Sequence, residues 1–154
     1  HQANDFKVSV EQLEEARTEK TKVLVLNSPS NPTGMIYSKD ELLAIGNWAV
    51  EHDIIILADD IYGRLVYNGN EFVPISSLSE AIRKQTVVIN GVSKAYAMTG
   101  WRVGYAVGDP EIIAAMSKLT GQTTSNLTAV SQYATIEALT GPQDSVEVMR
   151  QAFE

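Results

Sequence analysis

Lys94 follows a small-residue turn, Asn90-Gly91-Val92-Ser93, and Arg102 stands eight positions later. A lysine held by such a turn can act as an amine nucleophile, and an arginine offers a fixed cationic fork. A carbonyl compound carrying a phosphate would use both. The amine would form a Schiff base, and the guanidinium would grip the phosphate. Alone, the spacing means little, because most lysines are solvated surface charges.

Two upstream segments add chemistry. In Asn31-Pro32-Thr33-Gly34, Pro29 and Pro32 stiffen a loop that can hold the Asn31 amide as a donor to a phenolate oxygen. Its structural alternative is a plain turn, since Asn-Pro and Thr-Gly are common turn pairs. Asp59-Asp60-Ile61-Tyr62 offers a carboxylate for a protonated ring nitrogen. At about 3 Å and an effective dielectric of about 20, that pair gains roughly 5 kcal/mol before desolvation. The alternatives are a cap on the next turn or a metal ligand, and no His or third acid lies nearby in sequence to support a metal.

The elements that must position these groups alternate. Val23–Leu26, Ile54–Ala58 and Val87–Ile89 are continuous apolar runs, the pattern of strands buried on both faces. Trp101–Val107 is a fourth candidate strand. Ser9-Val10-Glu11-Gln12 and Ser38-Lys39-Asp40-Glu41 are capping boxes. The first predicts a helix to about Lys20. The second predicts one to about His52, with a stripe of Leu42, Ile45 and Ala49. Gly108-Asp109-Pro110 predicts a helix start, with Ile112, Ile113, Met116 and Leu119 as its buried face. A polar loop is expected over Gly121–Asn126, then a helix from about Leu127 to Leu139 that stops at Gly141-Pro142. Strand–helix alternation predicts an α/β fold with a mainly parallel sheet and flanking helices. In such sheets ligands bind beyond the carboxyl ends of strands. Asn27–Gly34, Asp59–Tyr62 and Asn90–Lys94 each follow a strand, so all three converge on one edge.

Composition bounds the partners. The 154 residues carry a formal charge of −7, without a basic cluster, which argues against nucleic acid. There is no Cys, so disulfides and thiolate metal sites are excluded. That is compatible with a cytoplasmic setting. No apolar run reaches membrane-spanning length, and the polar start His1-Gln2-Ala3-Asn4-Asp5 does not read as a signal peptide. The chain lacks an initiator Met and stops in a helical pattern over 145–154. It reads as an excised piece of a longer protein.

Taken together, Asn31-Pro32-Thr33-Gly34, Asp59-x-x-Tyr62 and Ser93-Lys94-x7-Arg102-x-Gly104 resemble the class I/II aminotransferases of pyridoxal-phosphate fold type I. The spacings fit: 28 residues from Asn31 to Asp59 and 35 from Asp59 to Lys94. Ala97-Met98-Thr99-Gly100-Trp101-Arg102 is most similar to the bacterial aspartate aminotransferase subgroup Iγ. The resemblance implies pyridoxal 5′-phosphate as cofactor and amino transfer between an amino acid, most of all aspartate, and a 2-oxo acid such as 2-oxoglutarate. It implies that Lys94 binds the cofactor covalently and shuttles a proton, and that Asp59 pairs with the ring nitrogen. Asn31 and Tyr62 would bond the 3′ oxygen, and Asn31 would also reach the substrate carboxylate. Arg102 and Ser93 would bind the phosphate. A homodimer is implied for the full-length protein.

Three departures stand out. Gly91 occupies a position where many relatives carry a phosphate-binding Ser, although Gly is usual in the Iγ subgroup. Gly121–Ser131 holds no Arg where other subgroups place one for a dicarboxylic side chain. Residues 1–154 are expected to form only part of the large, cofactor-binding domain, without its first half or the small domain, so the isolated piece is expected to be inactive. Readings kept beside the transaminase are a C–S lyase or synthase of the same fold, an aminotransferase-like sensor domain of a transcription regulator, and a catalytically dead module. His1 and His52 are isolated. Asn126-Leu127-Thr128 matches a glycosylation sequon without other signs of secretion.

Overall fold

The computed structural model describes residues 4–154. His1, read as an isolated histidine, lies outside the described residues, as do Gln2 and Ala3 of the polar start. Four strands form one sheet in the order β1 (Val23–Asn27), β2 (Ile55–Asp59), β3 (Thr86–Gly91), β4 (Gly104–Val107). The first three are parallel, and β4 returns antiparallel to β3. The parallel pairs need crossovers, which α2 (Lys39–Glu51) and the segment containing α3 (Glu80–Lys84) supply. Between β3 and β4 stands only a short 3-10 turn at Thr99–Trp101. With no crossover helix, the chain doubles back, which makes β4 the antiparallel member. It also starts later than the run from Trp101 suggests.

The core lies on one face of the sheet. Leu26, Ile56 and Ala58 from the strands pack with Leu42, Ile45, Trp48 and Ala49 of α2 and Ile82 of α3. The capping box at Ser38 sets the start of α2: the Ser38 hydroxyl accepts from the Glu41 N–H, and the Glu41 carboxylate accepts from the Ser38 N–H. His52 caps the other end of α2, edge-on to Trp48, with Nε2 3.2 Å from Glu14 Oε2. α1 (Val10–Ala16) has the expected capping box at Ser9 but stops short of Lys20. The Thr18 N–H donates to Thr21 Oγ1, and Thr18 Oγ1 accepts from the Lys20 N–H. These local bonds compete with helical ones and turn the chain.

The opposite face departs from expectation. β1 is not buried on both sides: Val23 and Val25 are exposed, Val25 at 66%. α4 (Pro110–Thr123) starts as expected, with Asp109 Oδ1 accepting from the Glu111 N–H. It runs through Gly121, which reads from sequence as loop, and of its expected buried face Ile112 and Ile113 are half-buried while Met116 and Leu119 are exposed, Leu119 at 67%. α5 (Ala129–Thr140) likewise exposes Tyr133 and Ile136. The α4 stripe has a helical period, but its Met116 and Leu119 end is left exposed. α6 (Asp144–Phe153) docks back through Arg150, whose Nη1 donates to the Val66 carbonyl.

Candidate functional site

The parallel register aligns the carboxyl ends of the strands. Asn27 pairs with Asp59 and Asp59 with Ile89, so one row crosses the sheet at its functional edge. The loop after β1, the turn after β2 and the segment after β3 leave from that row, as the alternation of elements requires.

Beyond β1, the chain turns sharply: the Gly34 N–H donates to the Ser30 carbonyl, and Gly34 takes a φ of 73°. A left-handed φ here favours glycine. The loop carries Asn31, whose Nδ2 donates to the Tyr62 hydroxyl at 3.1 Å. Tyr62 belongs to the turn after β2, closed by the Gly63 N–H on the Asp60 carbonyl. The Lys94 ammonium lies 5.6 Å from the centroid of the Tyr62 ring. A cation over a phenol ring is attracted by its quadrupole. Three loops that lie far apart in sequence thus meet at Asn31, Tyr62 and Lys94.

A second group sits at the end of β2 and β3. Asp59, Ser93 and Arg102 line a cleft of about 290 Å³ with Ile61, Ile89, Asn90, Val103 and Gly104. Asp59 Oδ1 accepts from the Ile61 N–H at 3.2 Å. The capping alternative for Asp59 is therefore present, and Asp59 also lines the cleft. Arg102 is in the left-handed region, at φ 56° and ψ 48°, with Nη1 donating to the Thr99 carbonyl at 3.0 Å. That backbone costs roughly 1–2 kcal/mol for a residue with a Cβ. It lets the chain leave the 3-10 turn while the arginine still borders the cleft.

Gly91 has a structural reason to lack a side chain. A Cβ there would stand 2.7 Å from the Val103 carbonyl oxygen and 3.2 Å from Gly104 Cα, both backbone. A serine cannot occupy this place without parting β3 from β4.

One residue of this region, Asn27, belongs to no motif, and a second, Asp60, is legible in sequence only as the neighbour of Asp59. Asn27 donates through Nδ2 to the Asp59 carbonyl at 3.0 Å, and its Oδ1 accepts from the Asn31 N–H at 2.8 Å. A polar residue closing an apolar strand run was its only signal. Asp60 is buried beside a separate cavity of about 260 Å³, lined also by Arg64, Tyr96 and Tyr105. Burial, with the neighbouring Asp59 charge, pushes its carboxyl up to about 7. Among the described residues, no group of three His, Cys, Asp or Glu side chains could hold a metal ion, and no helix is long and apolar enough to cross a membrane.

Comparison with known proteins places this chain in a family. The family model described as aminotransferase class I and II matches residues 1–154. A Streptococcus mutans protein named asparagine–oxo-acid transaminase is 77% identical over 151 residues, which is 98% of this chain and 38% of that protein. A Bacillus subtilis aspartate aminotransferase is 54% identical over 98% of this chain and 38% of its own length. The crystal structure of an aspartate aminotransferase from Rhizobium meliloti superposes with a TM-score of 0.94 at 42% identity, again over 98% of this chain and 38% of that one. The chain thus spans well under half the length of these relatives. With the parallel sheet, the three motif-bearing loops at one edge and a match along its whole length, this chain belongs to the class I and II aminotransferases.

Proposed function

We propose that this chain is part of the large domain of a pyridoxal-phosphate-dependent aminotransferase, and that the full-length protein moves an amino group between an amino acid and a 2-oxo acid. The observation that carries the reading is the meeting of Asn31, Tyr62 and Lys94 beside the Asp59–Ser93–Arg102 cleft. The donor set fits a flat, phosphate-bearing pyridine aldehyde. It offers one amine, one acceptor carboxylate, an amide–phenol pair, and a guanidinium with a hydroxyl beside it.

In this reading Lys94 would hold the cofactor through its amine, and Asp59 through its ring nitrogen. Asn31 and Tyr62 would hold the phenolic oxygen, and Ser93 and Arg102 the phosphate. When bound, the cofactor supplies an electron-withdrawing ring that stabilises negative charge at the substrate Cα. The Lys94 amine is the group available to take a proton from that carbon and return it. The Asp59 carboxylate keeps a positive charge favourable on the ring nitrogen. Arg102 matches a phosphate with parallel N–H donors, which a lysine cannot do. The exposed stripes of β1, α4 and α5 fit a protein in which further segments cover them. The isolated chain is expected to be inactive, and the full-length protein to form a homodimer that works in the cytoplasm on small molecules.

Aspartate with 2-oxoglutarate is the proposed substrate pair, supported by the names of the Bacillus and Rhizobium relatives. Asparagine is a second donor to consider, because the Streptococcus mutans relative at 77% identity is named for it. The test is to assay the full-length protein with aspartate and with asparagine against 2-oxo acids, beside its Lys94→Ala variant. Transfer that disappears in the variant supports the reading. A protein that transfers no amino group, or one indifferent to Lys94→Ala, would overturn it.

A further inference from the structure

We infer that Asn27 is a positioning residue, whose single side-chain amide sets the spacing between Asp59 and Asn31. Asn27 is the last residue of β1 and the register partner of Asp59. Its side chain is half-buried and uses both ends: Nδ2 donates to the Asp59 carbonyl at 3.0 Å, and Oδ1 accepts from the Asn31 N–H at 2.8 Å. Asn31 then donates to Tyr62, and the Tyr62 ring lies under the Lys94 ammonium. The amide is planar, so its donor and acceptor sit at a fixed separation. It therefore ties the strand end that carries the carboxylate to the loop that carries the donor amide. Asn31 is itself exposed, and the bond to Asn27 is the one its backbone N–H makes among the described residues. Displacing a positioning group by about 1 Å can cost on the order of a hundredfold in rate. Asn27 is assigned no contact with cofactor or substrate, and its role rests on the aminotransferase reading only for its catalytic consequence.

Two variants of the full-length protein separate the contacts. Asn27→Leu removes both bonds. Asn27→Asp keeps an acceptor for the Asn31 N–H and loses the donor to Asp59. The first readout is amide hydrogen exchange at Asn31 without added cofactor. Opening a single exposed-loop bond is expected to raise that exchange by about tenfold or more in Asn27→Leu, while strand residue Leu57 stays at the parental rate. Asn27→Asp is expected to keep Asn31 protected. The second readout is the pH midpoint of the visible absorbance of added pyridoxal phosphate, expected to move in both variants. If Asn27→Leu does not fold, Asn27→Asp decides by that midpoint. Parental exchange at Asn31 in a folded Asn27→Leu, or an unmoved midpoint in Asn27→Asp, overturns the inference. Exchange at Asn31 does not depend on the reaction, so its outcome is distinct from failure of the Lys94→Ala test.

Discussion

Asn31 Nδ2 donates to the Tyr62 hydroxyl at 3.1 Å, joining the loop after β1 to the turn after β2 across 31 residues of sequence. The bond pre-forms a donor pair at the edge of the sheet. With the cofactor bound, a donor to its phenolic oxygen would make that oxygen less basic and so lower the pH midpoint of the cofactor's absorbance. Tyr62→Phe in the full-length protein removes one donor and frees Asn31 of its partner. The pH midpoint of the bound cofactor's absorbance is expected to rise by about one unit. A spectrophotometric pH titration checks this, and a midpoint that falls or stays would count against the assignment.

Arg102 is expected to hold phosphate through its fork rather than through charge alone. Arg102→Lys keeps the charge and carries the same left-handed backbone cost, so the comparison isolates the guanidinium. Cofactor affinity is expected to fall roughly tenfold for Arg102→Lys and about a hundredfold for Arg102→Gln, the range set by losing one or more charge-assisted hydrogen bonds. Fluorescence titration of the cofactor-free protein measures both. Equal affinity of the lysine variant and the parent would place the phosphate elsewhere.

Gly91→Ser introduces the residue type that the family resemblance implies as a phosphate ligand in other subgroups. Here it is expected to destabilise the protein by about 1–3 kcal/mol, the usual cost of overpacking. The new Cβ meets the Val103 carbonyl oxygen and Gly104 Cα, neither of which can rotate away. Urea unfolding followed by circular dichroism would show the loss. Unchanged stability together with tighter cofactor binding would mean that the β3–β4 pairing is softer than its geometry implies.

Asp60 carries a pH signature. Its carboxyl is pushed from 3.8 to about 7 by burial first and by the Asp59 charge second. A raised pKa means that the folded state holds the proton more tightly than the unfolded chain. The associated stability is complete below the unfolded value and is lost as pH rises through about 7. The parent is therefore expected to lose stability between about pH 4 and pH 7, and Asp60→Asn to lose much less. The difference has an upper limit of about 4 kcal/mol and shrinks where water reaches the carboxyl. Urea midpoints at several pH values test this. Parallel curves for the two proteins would show that Asp60 does not titrate there.

Local signals carried much of the fold. The Ser38 and Ser9 capping boxes and the Asp109-Pro110 start appear where their residues predict, because each is a bond between near neighbours. The helix at Glu80–Lys84 is hard to read from sequence although Ser79 caps it and Ile75, Leu78 and Ile82 follow a helical period. Its brevity hid the pattern. The end of α1 went the other way, since Thr18 and Thr21 bond locally and stop a helix whose start was clear. Apolar runs in β1 and α4 reported a need for cover, and no periodicity says which segment supplies it. Val25 and Leu119 are exposed here for that reason.

The sequence by itself determined which side chains stand at the three strand ends, because strand–loop–helix order and parallel pairing follow from hydrophobic period and turn residues. The fold decided what those side chains touch. That Asn27 spans Asp59 and Asn31, that Asn31 meets Tyr62, that Lys94 lies over the Tyr62 ring, and that Asp60 is buried beside its acidic neighbour all depend on strand register. A register shift of one residue would turn the strand residues Asn27 and Asp59 to the other face and displace the loops that carry Asn31, Tyr62 and Lys94. Register is fixed by packing across the whole sheet, so no local stretch of sequence contains it.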